Sequence, residues 1–155
     1  MHNWARFWRL TPGERGTVLL AAASLAATWA ALRVCSFRLW QAVLKRAIPQ
    51  DMPASRASER AAAWETIHSL ARLEAAAARH ALVHFNCLER SLVVWWLLRR
   101  RGIRAELRIG ARKEQKSLEA HAWVEFDDQV INDPEGTHRK FSLFGSAIRP
   151  TEAEL

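Results

Sequence analysis

The chain changes period once, and that change divides it. Up to about residue 101 the apolar positions recur at helical spacing. Beyond it they alternate, as they do in half-buried strands. Thr11-Pro12-Gly13-Glu14 carries the signature of a helix start: Thr at the N-cap, Pro at the first position and Glu three residues on. A helix is expected from Pro12 to about Arg33. Ser36 is placed to cap a second helix, with Phe37, Trp40, Val43, Leu44 and Ile48 on one side and Arg38, Gln41, Lys45 and Arg46 mostly on the other. Pro49 ends it. Gln50 to Ser58 reads as a linker. A third helix follows from about Glu59 to Arg79, with Trp64, Ile67, Leu70 and Ala71 on its apolar stripe. His80 to Asn86 breaks the pattern. A fourth helix is expected from Cys87 to about Arg101, through Leu88, Leu92, Trp95 and Leu98, stopped by Gly102.

The strands come last. Arg104 to Ile109 alternates polar and apolar, and so does Ala120 to Phe126. Arg112 to Ser117 is expected to be a charged loop. Asp127-Asp128 is a turn, and Gln129 to Asn132 is the returning strand. The tail beyond Asp133 is irregular. Helices first and a small antiparallel sheet of three or more strands afterwards make the fold class α+β.

Composition narrows the function. A length of 155 residues sets one compact domain as the default, and half of the residues are apolar, enough for a core. Lys plus Arg is 23 against 16 for Asp plus Glu, giving +7 and a pI near 10.6. The basic charge is diffuse and carries no nucleic-acid-binding motif, so a solvated surface explains it and no nucleic-acid partner is expected. The uncharged run from Gly16 to Leu32 is rich in alanine and interrupted by Thr17, Ser24 and Thr28. It reads as a buried or amphipathic helix ahead of a membrane-attached one or a cleaved signal. Two cysteines, Cys35 and Cys87, give no disulfide framework and fit a reducing, cytoplasmic setting.

The chemistry gathers around Cys87, at an expected helix start, with His121 and Asp133 downstream on expected strands. A thiol attacks well as thiolate, which a helix N-terminus and a nearby imidazole favour, and an acid behind the imidazole orients it. Cys87 or His121 alone is weak: a free cysteine is often a small buried hydrophobe, and a strand histidine often satisfies a core hydrogen bond. Together, in this order, they are stronger. His121 leaves its strand on the face opposite Ala122, Val124 and Phe126.

Asp133 must leave the same face as His121. In a regular ladder this requires an odd loop, such as Asp127-Asp128-Gln129, or a bulge; a strict two-residue loop would oppose the two. Asn132 is the fallback orienter. His80, His84 and Cys87 would share a face of a continuous helix and could hold zinc, but the pattern breaks there and no further cluster completes a tetrahedral set. No metal or other cofactor is expected. Trp95 and Trp96 cannot face the same way, and one is expected to pack on the N-terminal helices.

The runs Cys87-Leu88-x-Arg90-Ser91-Leu92, Trp96 to Ile103, Leu107-Arg108-Ile109-Gly110 and Ala120-His121-Ala122-Trp123-Val124-Glu125 resemble the leader peptidase of lasso-peptide biosynthesis. This is the transglutaminase-like, papain-like peptidase half of the lasso B protein, here as a separate chain. The likeness is dense from Cys87 to Asp133 and looser around Pro12-x-Glu14-Arg15. Ala111 stands where Val commonly follows the Gly, and Asp127-Asp128 replaces the usual Asp-Gly turn.

The resemblance implies an N-terminal helical region, residues 1–50, packing on a cysteine peptidase core, residues 51–155. Cys87 would be nucleophile, His121 general base and acid, and Asp133 orienter. The enzyme would remove the leader of a ribosomally made precursor peptide. A separate recognition protein would present that leader, and an ATP-dependent macrolactam synthetase would close the ring. Two other classes stand beside this reading: another transglutaminase-like acyl-transfer or amide-hydrolysing enzyme, and a non-catalytic scaffold subunit with possible membrane contact.

Overall fold

The computed structural model describes residues 7–48, 57–114, 117–133 and 136–143. Among them are four longer helices: α1 (Pro12–Val34), α2 (Phe37–Arg46), α3 (Ala57–Arg79) and α4 (Cys87–Arg99). Four strands follow: β1 (Glu106–Glu114), β2 (Ser117–Phe126), β3 (Gln129–Val130) and β4 (Ser142–Leu143). A single 3-10 turn, His138–Lys140, precedes β4. The sheet order is β3-β2-β1-β4, with every neighbouring pair antiparallel. The molecule is therefore α+β. The expected linker around Gln50 and the boundary between residues 50 and 51 lie largely outside the described residues, as does Pro49.

The local signals explain the helix ends. Thr11 Oγ1 accepts from the Glu14 N–H at 3.2 Å, and Glu14 Oε2 accepts from the Thr11 N–H at 2.9 Å, which satisfies two donors that the helix cannot. Ser36 caps α2 through the Leu39 N–H. At the far end of α4 the Gly102 N–H donates to Arg99 O and the Ile103 N–H to Leu98 O, at 3.0 and 3.1 Å. That closing turn needs the left-handed backbone of Gly102, φ 76°.

Helix α4 is the axis of the core. Its sequence reads as amphipathic, yet Ser91, Leu92, Val93, Val94, Trp95, Leu97 and Leu98 are all buried, because it is surrounded. Helices α1 and α3 pack on one side of it and the sheet on the other. From α3, Ile67, Leu70, Leu73 and Ala77 enter the core, and Trp64 meets Phe126 edge-on at 5.2 Å. Leu73, rather than the expected Ala71, completes the buried stripe. Trp95 is fully buried, while Trp96 is half-buried against the core with the Arg100 guanidinium over its ring.

One stripe of α1, Thr17, Ala21, Leu25 and Thr28, is buried, and Leu19 and Leu20 point away from it. By length and composition α1 is also apolar enough to cross a membrane, which no other described helix is. Helix α2 returns to α1 through the Trp40 indole N–H, which donates to Thr28 Oγ1 at 3.2 Å.

The sheet corrects one expectation. Arg112 to Glu114 and Ser117 are not loop but the ends of β1 and β2, in register from Glu106↔Glu125 to Glu114↔Ser117. Charge holds this extension together rather than apolar contact: Arg112 sits directly opposite Glu119, and their side chains meet at 2.6 Å. A polarity pattern reads such a segment as loop, because neither face is apolar.

Candidate active site

Cys87 is the first residue of α4, directly after the N-cap Asn86. Asn86 Oδ1 accepts from the Glu89 N–H at 2.9 Å, and Glu89 Oε2 accepts from the Asn86 N–H at 2.8 Å. This is a second capping box, and it brackets the cysteine. The Glu89 carboxylate is only 2% exposed. Its other oxygen accepts from the Arg33 guanidinium, 3.1 Å away, so the last turn of α1 reaches the start of α4. The next residue, Arg90, holds buried Glu74 of α3 through two hydrogen bonds of 3.1 and 3.0 Å. These bonds raise the Arg90 pKa further.

The first turn of α4 is thus tied to both helices behind it. Nothing in an apolar-pattern reading singles out Glu89, Glu74 or Arg33. The Asn-x-x-Glu spacing around Cys87 is the signal that finds the capping box.

His121 lies on β2, directly opposite Gly110 of β1. Its neighbours Ala122 and Val124 are buried against the helices, and His121 leaves from the outer face, as alternation requires. The turn between β2 and β3 has two residues, Asp127 and Asp128, with φ of 47° and 60°. The expectation of an odd loop or a bulge is therefore overturned.

The chain meets the geometric demand by leaving the ladder. Ile131 still donates to Val124 O at 2.9 Å. At the next position the Val124 N–H donates to the side-chain Oδ1 of Asn132, also at 2.9 Å, instead of to a main-chain carbonyl. Released from the ladder, the backbone turns and brings Asp133 to the imidazole. His121 Nε2 stands 2.6 Å from Asp133 Oδ1, with side-chain exposures of 18% and 4%. Asn132, the fallback, is committed elsewhere: its Nδ2 donates to Ser91 Oγ at 2.9 Å.

Ser91 joins the two halves. Its hydroxyl donates to the carbonyl of Ala122, the residue after His121, at 2.9 Å. Cys87 and Ser91 are four residues apart on α4, so they share a face of the helix. Cys87 thereby heads the face that meets β2 beside His121. Among the described residues no hydrogen bond joins the Cys87 thiol to His121, and Cys87 is partly exposed. His80 and His84 do not continue α4 backwards: the segment from His80 to Asn86 is turn and extended chain, so the shared helical face of a zinc site does not form. No group of three His, Cys, Asp or Glu among the described residues is placed to hold a metal.

The outer face of the sheet is covered by the segment that ends in β4. Phe141 stacks on the His121 ring with centroids 5.1 Å apart and planes 29° apart. Trp123 flanks the same imidazole at 6.0 Å and meets His138 at 5.9 Å. The close approach depends on Gly110, because a Cβ there would lie 3.0 Å from Phe141 Cβ, Ser142 O and the Trp123 ring. An irregular tail carries no periodicity, so neither Phe141 nor this use of Gly110 is legible from pattern.

No curated protein and no solved structure matches the chain. The family model described as transglutaminase-like superfamily does, across residues 31–144. That span takes in α4, the paired strands of the His121–Asp133 bond and the covering segment, and it makes this chain a member of the transglutaminase-like superfamily.

Proposed function

We propose that the chain is a cysteine peptidase in which Cys87 is the nucleophile, His121 the general base and acid, and Asp133 the orienter. The observation that carries this is the 2.6 Å bond from His121 Nε2 to Asp133 Oδ1, beside the strand position at which the Cys87 helix docks. A carboxylate on Nε2 takes the Nε2–H tautomer, which leaves Nδ1 with a lone pair for the thiol proton. Cys87 Sγ then attacks the scissile carbonyl carbon as its proton passes to Nδ1. The carbon–nitrogen bond breaks, and the imidazolium returns that proton to the leaving amine. Water, deprotonated by His121, hydrolyses the thioester, releasing the acid and restoring the thiol.

The capping box occupies the N–H of Asn86 and of Glu89. The first N–H groups of α4, starting with that of Cys87, have no intrahelical acceptor and are suited to the developing oxyanion.

The substrate in this reading is the leader of a lasso precursor peptide, presented by a separate recognition protein, with an ATP-dependent macrolactam synthetase acting on the freed amine. It rests on the motif resemblance and on membership of the superfamily. Mass spectrometry of precursor incubated with the protein and recognition partner tests it. A single cut at the end of the leader, absent with Cys87→Ala, is the expected result. No cut by the folded, partner-bound wild type overturns the reading and favours another acyl acceptor or a scaffold.

A further inference from the structure

We infer that Phe141 is a positioning residue for His121, seated in a slot that Gly110 leaves open. The inference rests on the proposed role of His121 as base, and it adds a residue from outside the catalytic set. The outer face of the β1–β2 pair carries five directly opposed couples: Glu106 with Glu125, Arg108 with Trp123, Gly110 with His121, Arg112 with Glu119 and Glu114 with Ser117. Four of the five have two side chains. At the remaining one, His121 faces a glycine, so the imidazole has an empty place across the ladder.

Phe141 fills that place. Its backbone lies against Gly110 because β4 pairs with β1 at Gly110↔Leu143 and Ala111↔Ser142. Its ring lies between the imidazole, at 5.1 Å, and the Arg112 guanidinium, also at 5.1 Å. Arg112 is itself held by Glu119 and Glu114.

The physical effect concerns one torsion. A hydrogen bond to Asp133 fixes one ring nitrogen, but the imidazole can still swing about its own side-chain bonds. A flat ring against one face, with Trp123 on its flank, removes that freedom and keeps water from the Nε2–H bond. The tautomer that leaves Nδ1 free is then held without help from substrate. Leucine nearly matches the volume of phenylalanine but has no flat face. Tyrosine keeps the face.

Phe141→Leu, Phe141→Tyr and Gly110→Ala, each in the full chain with the recognition partner, test this. Phe141→Leu is expected to lower kcat about tenfold with KM within about twofold, the signature of lost orientation rather than lost binding. Phe141→Tyr is expected to retain the wild-type kcat. NMR of the imidazole gives a readout that needs no substrate. The His121 Nε2–H resonance is expected in wild type and Phe141→Tyr, and is expected to broaden by exchange in Phe141→Leu and Gly110→Ala. A folded Phe141→Leu or Gly110→Ala protein with an unchanged Nε2–H resonance overturns the inference. If the wild type cuts nothing, the peptidase reading fails, and the resonance still decides the role of Phe141.

Discussion

Two helices in this chain begin with the same device in opposite surroundings. At α1, Thr11 and Glu14 exchange hydrogen bonds at the surface, and Glu14 also meets Arg72 of α3 at 3.4 Å, with the two side chains 28% and 68% exposed. At α4, Asn86 and Glu89 exchange the same pair of bonds, but the Glu89 side chain is 2% exposed where it receives Arg33 of α1. The backbone geometry is equivalent, and the consequences are not. A solvated cap is replaceable by water, so it trims the fraying of one helix end. A buried cap that shares its carboxylate with a distant cation fixes where the helix begins relative to the rest of the molecule, and Cys87 is the residue that this places. A sequence motif thus reports the local bond and says nothing of its weight, which burial sets.

Substitutions can break this comparison in graded steps. Glu89→Ala has the largest expected effect: it leaves the Asn86 N–H and the Arg33 guanidinium without their shared acceptor. It should cost about 2–3 kcal/mol, measured by urea denaturation, and should abolish leader cutting. A Glu89→Ala protein as stable as wild type would show the buried cap to be no stronger than the exposed one. Next is Ser91→Ala, which strips the hydroxyl between Ala122 O and Asn132. A loss of about 1–2 kcal/mol is expected for these buried groups, with slower cutting as α4 loses its tie beside His121.

Thr11→Ala, the solvated counterpart, should cost about 1 kcal/mol or less and leave the cutting rate unchanged. An effect on that rate would mean that the two caps are not separable. The smallest effect is acid dependence at the exposed cap. The Thr11 N–H, and then its hydroxyl, hold the Glu14 carboxyl below the usual carboxylate range. A lowered folded pKa means that the contribution is complete above the unfolded value and disappears as pH falls through the folded one. NMR titration should show Glu14 moving back up toward the ordinary range in Thr11→Ala.

How far the sequence is legible follows the same division between local and distant. The two caps Thr11 and Ser36, the stop at Gly102 and the turn at Asp127-Asp128 are written in neighbouring residues, and each stands where its local signal puts it. The change from helical to alternating period gives the α+β class. The His121–Asp133 contact was harder to reach, because a ladder of regular parity opposes it. Its solution, a strand that ends after two residues with Asn132 replacing a carbonyl, depends on Ser91 forty-one positions upstream. The ion pairs behind Cys87 join residues sixteen and fifty-six apart. No window of sequence contains both partners, so periodicity cannot find them. The same holds for Phe141, whose partner is a missing side chain on another strand.

The short span of the β2–β3 turn has a bearing on the order of assembly. His121 and Asp133 are twelve residues apart, joined by a two-residue turn, while Ser91 and Ala122, which dock the Cys87 helix beside them, are thirty-one apart. Closing the shorter loop loses less chain entropy, and hairpins form within microseconds. The His121–Asp133 half of the site is thus a local product of the chain that can exist early. Cys87 is brought alongside only when the helical layer closes over the sheet. A nascent or partly opened chain can carry a paired histidine before its cysteine has a docked helix to stand on.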